Sequence, residues 1–150
     1  MYRIGIVSGY FNPLHRGHLE YINAAKKQCD FLNCIVNNDL QVQIKGSNKF
    51  MDENHRYDIM KNIKSIDAVY VSIDKDRSVS NTIAKIVEET IFEYNKNYKF
   101  MFFNSGDRPP DNYNIQEKTV CDKLDVQTVF IPLKKVHSSS SFLATLGHVS

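Results

Sequence analysis

A three-layer α/β sandwich built on a five-stranded parallel sheet is the architecture this chain predicts. Short apolar runs alternate with segments of helical period along all 150 residues. That length suits one domain with a core of its own. No Pro/Gly/Ser-rich linker, shift of composition or internal repeat divides it, so residues 1–150 read as a single domain. Strand, helix and strand in regular succession imply right-handed crossovers and a sheet covered on both faces.

Residues 2–8 (YRIGIVS) read as a buried strand, and a turn-rich segment follows from Gly9 to Gly17. A first amphipathic helix is expected from about His18 to Lys27, with Leu19, Ile22 and Ala25 on one face. Residues 31–37 (FLNCIVN) form the second strand, and 37–49 read as a polar loop. Asp52 can cap a helix running to about Ile63 with Tyr57, Ile59, Met60 and Ile63 as its apolar stripe. The third strand covers 68–73, and the next helix 81–94 turns Ile83, Ile86, Val87 and Ile91 inward. Strands at 99–103 and 127–131 flank a helix at about 116–124, and a last short helix is expected over 138–146. The whole is Rossmann-like. In such sheets ligands sit beyond the carboxyl ends of the strands, at the topological switch point.

Composition removes several classes. Hydrophobic residues make up 42% and charged residues 24%, which is ordinary globular usage and excludes disorder. A net charge of +2, with acids and bases interspersed, lacks the basic excess of a nucleic-acid binder. Cys29, Cys34 and Cys121 form no C-x-x-C pair and read as reduced thiols of a cytoplasmic protein. The apolar stretch 4–7 is too short for a signal segment, and no run is long enough to span a bilayer, so no membrane association is expected.

Chemistry concentrates after the first strand, in Gly9-Tyr10-Phe11-Asn12-Pro13-Leu14-His15-Arg16-Gly17-His18. Gly9 is expected to let the chain leave the strand with a free φ, and Pro13 to stiffen the turn. His15 and His18, three apart, fall on one side of a first helical turn. Gly17 between them leaves room for a phosphate to approach the backbone, where unbonded N–H groups and the helix dipole favour an anion. A triphosphate attacked at its α-phosphorus needs donors preset around the oxygens that gain charge. Imidazoles supply them without the repulsion that carboxylates would bring. A zinc site would need a third ligand at usual spacing, and none lies nearby.

The segment resembles the His-x-Gly-His signature of the cytidylyltransferase-like nucleotidyltransferases, and the likeness covers nearly the whole chain. Among these it is most similar to glycerol-3-phosphate cytidylyltransferases and heptose-phosphate adenylyltransferase domains. The resemblance implies His15 and His18 as catalytic residues, with Lys45, in Ile44-Lys45-Gly46, reaching the phosphates. It places Gly9, Tyr10, Phe11 and Gly17 about the nucleotide, together with Gly106 and Asp107 near base and ribose. Ser138, Ser139 and Ser140 resemble the family's C-terminal Ser/Thr element, whose hydroxyls bind the outgoing phosphates. Departures also stand out. Leu133-Lys134-Lys135 replaces the family's arginine before that element, Ser47 stands where a second lysine is usual, and Lys64 replaces an arginine before the third strand.

The resemblance therefore implies transfer of a nucleotidyl group, CMP ahead of AMP, from a nucleoside triphosphate to a phosphorylated small alcohol or sugar. Mg²⁺ would arrive through the triphosphate, with no metal site in the chain itself, and the protein would pair as a homodimer. A non-catalytic nucleotide-sensing module is the alternative; loss of a signature histidine or of Gly106-Asp107 would favour it, and all are present.

Overall fold

The computed structural model describes residues 1–94, 97–105 and 115–132. Gly106, Asp107, Leu133–Lys135, Ser138–Ser140 and the expected helix over 138–146 lie outside the described residues. The elements run β1 (Tyr2–Gly9), α1 (Arg16–Lys26), β2 (Phe31–Val36), α2 (Asp39–Lys45), α3 (Glu53–Lys61), β3 (Ala68–Val71), α4 (Ser80–Tyr94), β4 (Tyr98–Ser105), α5 (Ile115–Lys123) and β5 (Val126–Ile131). The five strands form one parallel sheet in the order β3-β2-β1-β4-β5.

Strand alternation sorts the core into two layers. Val7, Leu32, Cys34, Val36, Met101 and Phe103 face one way, against Tyr21, Ile22 and Ala25 of α1 and Met60 of α3. Ile4, Ile6, Ile35, Phe100 and Phe102 face the other, against Ile83, Ile86 and Val87 of α4 and Cys121 of α5. The three layers follow from that division. All three cysteines are free and buried. No helix among the described residues is long and apolar enough to cross a membrane.

Register shows where the central strands separate. β1 stays paired with β2 as far as Gly9↔Val36, but with β4 only as far as Ile6↔Phe102. β4 continues along β5 to Ser105↔Ile131. Beyond Ile6 and Phe102 the two central strands part company, each following its outer neighbour, and the switch point opens between them.

Three expectations are corrected. The stretch 37–49 is not all loop: α2 forms within it, and Lys45 is its last helical residue. Asn38 caps α2 and Gln41 returns the bond, while Gly46 ends the helix in the left-handed region at φ 80. Ile91 is 54% exposed, because the apolar stripe of α4 runs past the edge of the sheet core after Val87. Gly9 does not need a free φ, since among the described glycines only Gly46 has a positive one. The requirement at Gly9 is space: an added Cβ would lie 2.8 Å from Cζ of Phe11.

Candidate active site

The turn after β1 is held by groups within the chain. Phe11 sits at φ 50, a left-handed conformation that costs a non-glycine residue about 1–2 kcal/mol. Its ring, 1% exposed, lies over Gly9 and meets the His18 ring edge-on at 5.0 Å between centroids. Asn12 is buried and clasps the chain beyond α2: its Nδ2 donates to Asn48 C=O at 2.6 Å and its Oδ1 accepts from Phe50 N–H at 3.0 Å. Burial and hydrogen bonds together offset the strain at Phe11.

His15 is the N-cap of α1 and does not belong to its first turn. Its Nδ1 accepts from Gly17 N–H at 3.0 Å, and its side chain also takes the His18 N–H in a capping box. His18 Nδ1 in turn accepts from His15 N–H at 3.1 Å. The two rings stack 3.8 Å apart at 23°. Gly17 therefore does not offer its N–H to a ligand, as the sequence suggested; the cap has taken it.

This arrangement fixes the tautomers. A ring nitrogen that accepts a hydrogen bond carries no proton, so both neutral imidazoles bear theirs on Nε2. Burial, the adjacent His15 and the nearby Lys45 ammonium lower the His18 pKa from its ordinary 6.5 to about 3. His18 is thus a neutral donor at physiological pH. At α2, α3 and α4 the helix N-termini are quenched by acids or amides. Asn38 caps α2, with Glu53 Oε1 accepting from Asp39 N–H; Asp52 caps α3; and Asp74 accepts from Asn81 and Thr82 N–H at the start of α4. At α1 a pair of imidazoles does this work, so the positive end of the helix is relayed outward and not neutralised.

Lys45 is exposed, with Nζ 4.4 Å from the centroid of the half-buried Tyr10 ring. Its contact with Tyr10 holds the end of α2 against the turn after β1. The structure thus brings together Gly9, Tyr10, Phe11, His15, Gly17, His18 and Lys45. Lys49 is committed differently, lying 3.8 Å from Asp39. Ser47 hydrogen-bonds back to Val42 and closes the end of α2. Lys64 is exposed in the turn after α3.

Sequence reasoning missed the residue that joins these pieces. Arg56 of α3 is 0% exposed. Its guanidinium donates to Tyr10 C=O (2.8 Å), Asn37 C=O (2.6 Å), Met51 C=O (3.0 Å) and Asp39 Oδ1 (2.9 Å). One side chain thereby ties the turn after β1, the end of β2, the start of α2 and the approach to α3. A signal existed: Arg56 lies four residues before Met60, on the inward stripe of its helix. Gln41, also 0% exposed, extends the frame by donating to Asp76 and Ser78 C=O.

Comparison with known proteins bears on this geometry. Residues 6–144 match a family model described as cytidylyltransferase-like. A bifunctional protein HldE of Mesorhizobium japonicum is 36% identical over 70 residues, covering 45% of this chain and 14% of that protein. An FAD synthase of Thermoplasma acidophilum is 26% identical over 86 residues, 57% of this chain and 59% of the other. The matched stretch is thus a small part of HldE and little more than half of the synthase. The crystal structure of a lipopolysaccharide core biosynthesis protein from Thermoplasma volcanium superposes with a TM-score of 0.60 at 21% identity, covering 91% of this chain and 99% of that one. Thermotoga maritima TmcAL bound with alpha-thio ATP gives 0.62 at 13% identity, covering 98% and 50%. At those identities the likeness is one of fold.

Proposed function

The chain belongs to the cytidylyltransferase-like family, and from that premise we propose that it transfers a nucleotidyl group from a nucleoside triphosphate to a phosphorylated small molecule, releasing pyrophosphate. The observation that carries this reading is the stacked His15–His18 pair, each ring accepting a backbone N–H at Nδ1 and keeping its proton on Nε2. An acceptor phosphate oxygen attacks the α-phosphorus in line. The bond to the oxygen bridging toward the β-phosphate breaks, and pyrophosphate leaves; a Mg²⁺ carried by the triphosphate would neutralise part of its charge. Negative charge grows on the phosphoryl oxygens, and two preset N–H donors stabilise it without having to reorganise. Lys45 offers a mobile cation to the departing phosphates, and the acceptor phosphate is itself the nucleophile, so no covalent enzyme intermediate is needed.

ATP is the donor we place ahead of CTP, reversing the order of the sequence reading. The similarity to an FAD synthase supports it, as does the resemblance of Ser72–Arg77 to adenylyltransferases that act on sugar phosphates. Asp107 remains assigned to the nucleoside and Ser138–Ser140 to the outgoing phosphates. A pyrophosphate-release screen crossing ATP, CTP, GTP and UTP with sugar and polyol phosphates tests the whole. Turnover with one triphosphate is expected. Silence across the panel, together with a melting temperature indifferent to all four triphosphates, would refute the proposal.

A further inference from the structure

Odd-numbered residues of β1 bond toward β2: Asp30 N–H donates to Arg3 C=O, and Asn37 N–H to Gly9 C=O. Even-numbered residues therefore face β4. With Ile6 opposite Phe102, the next bond of that ladder would run from Ser8 N–H to Phe103 C=O. It does not form directly. Ser8 N–H donates to Tyr21 Oη at 3.4 Å, and the Tyr21 hydroxyl donates to Phe103 C=O at 2.7 Å. Two hydrogen bonds and an oxygen stand where one bond would otherwise close the strands.

The insertion falls at the point where β1 and β4 diverge. Tyr21 is 6% exposed, its ring wedged in the core layer with Val7 and Phe103, so its hydroxyl cannot retreat. α1 begins at the histidine cap and presents Tyr21 from its second turn. One short helix thus holds both the imidazole pair and the spacer between the strand ends. A direct N–H···O=C bond would span about 2.9 Å, drawing the end of β1 toward β4 and narrowing the space between them.

Taking the crevice as a triphosphate site, the reading on which this inference rests, we propose that Tyr21 is a positioning residue whose hydroxyl sets the crevice width and thereby the affinity for the triphosphate. Titration calorimetry with MgATP and MgCTP on the full chain tests this, using the unsubstituted protein, Tyr21→Phe and Ile86→Val. Ile86 lies in the opposite core layer, so its lost methyl lowers stability without reaching the crevice. Tyr21→Phe is expected to raise the dissociation constant about tenfold, the scale set by losing a well-placed hydrogen-bonded group. Ile86→Val should leave it unchanged. An unaltered constant in Tyr21→Phe overturns the proposal, and so does an equal loss in both variants, which would make the effect one of stability alone. An unsubstituted chain that binds neither nucleotide overturns the parent reading and this inference with it.

Discussion

Replacing His15 by alanine and by asparagine separates the two duties of its ring. Alanine removes both the cap, worth about 1 kcal/mol, and the Nε2 donor. Asparagine restores an acceptor for the α1 N-terminus but cannot place a donor at the Nε2 position. Both variants should lose turnover by about two to three orders of magnitude, as removal of a transition-state donor does. Only His15→Ala should melt lower. An asparagine variant with normal turnover would reduce His15 to a structural cap. His18 yields a pH prediction. Its folded pKa of about 3 lies below the ordinary 6.5, so between those values the unfolded chain binds the additional proton. Its contribution to stability is complete above about pH 6.5 and is lost as the pH falls toward 3, with a slope of up to about 1.4 kcal/mol per pH unit. Urea titrations from pH 7 to 4 should show this decline, and His18→Gln should flatten it. Equal slopes in both proteins would contradict the assignment.

At the scale of elements, Arg56 and Lys45 should fail in opposite ways. Lysine cannot span the acceptors that the planar guanidinium of Arg56 reaches, so Arg56→Lys leaves buried carbonyls and Asp39 without donors. Disrupting a buried charged network of this kind costs about 3–5 kcal/mol, which urea unfolding at pH 7 would register. A loss below about 1 kcal/mol, the scale of a surface ion pair, would show the network to be redundant. Lys45→Ala should leave stability near normal, since the residue is exposed at the end of α2. It should lower the turnover number more than it weakens triphosphate binding, because its charge matters most as pyrophosphate departs. A Michaelis constant that rises while turnover holds would place Lys45 in ground-state binding only. α2 itself is partly legible. Asn38-Asp39-Leu40-Gln41 spells a capping box and Gly46 a helix stop, but a polar seven-residue helix carries too little apolar period to compete with the loop reading. The burial of Arg56 is not legible, since a charged residue is inward only when partners from distant segments meet it.

For the whole molecule, alternation of strand and helix was enough to read a parallel sheet with helices on both faces, and every strand was found within two residues of its place. The order β3-β2-β1-β4-β5 was not legible, because it depends on β1 and β4 meeting across most of the chain. That His15 and His18 come together was legible because their spacing is local. The spacer at Tyr21 was not, because its partners Ser8 and Phe103 are brought to it by the sheet. Pairing of two chains is also expected at this scale. Phe50 remains 38% exposed and Tyr70 lies half-buried on the edge strand β3. Sedimentation should show a dimer at micromolar concentration, and a monomer alone would refute it.

The central position of β1 also has a consequence for how the chain comes to life. Ile4 finds Phe31 soon after synthesis, whereas Tyr2 must wait for Tyr98. A nascent chain can assemble β1, β2, β3 and the histidine cap as one half-sheet while the other half is still being translated. The seam between β1 and β4 joins residues far apart in the chain, and the entropy of bringing them together must be met before the ladder rewards it. The proposed triphosphate site lies along that seam. A ribosome that stalls before β4 would therefore release a fragment bearing both histidines but no opposing wall.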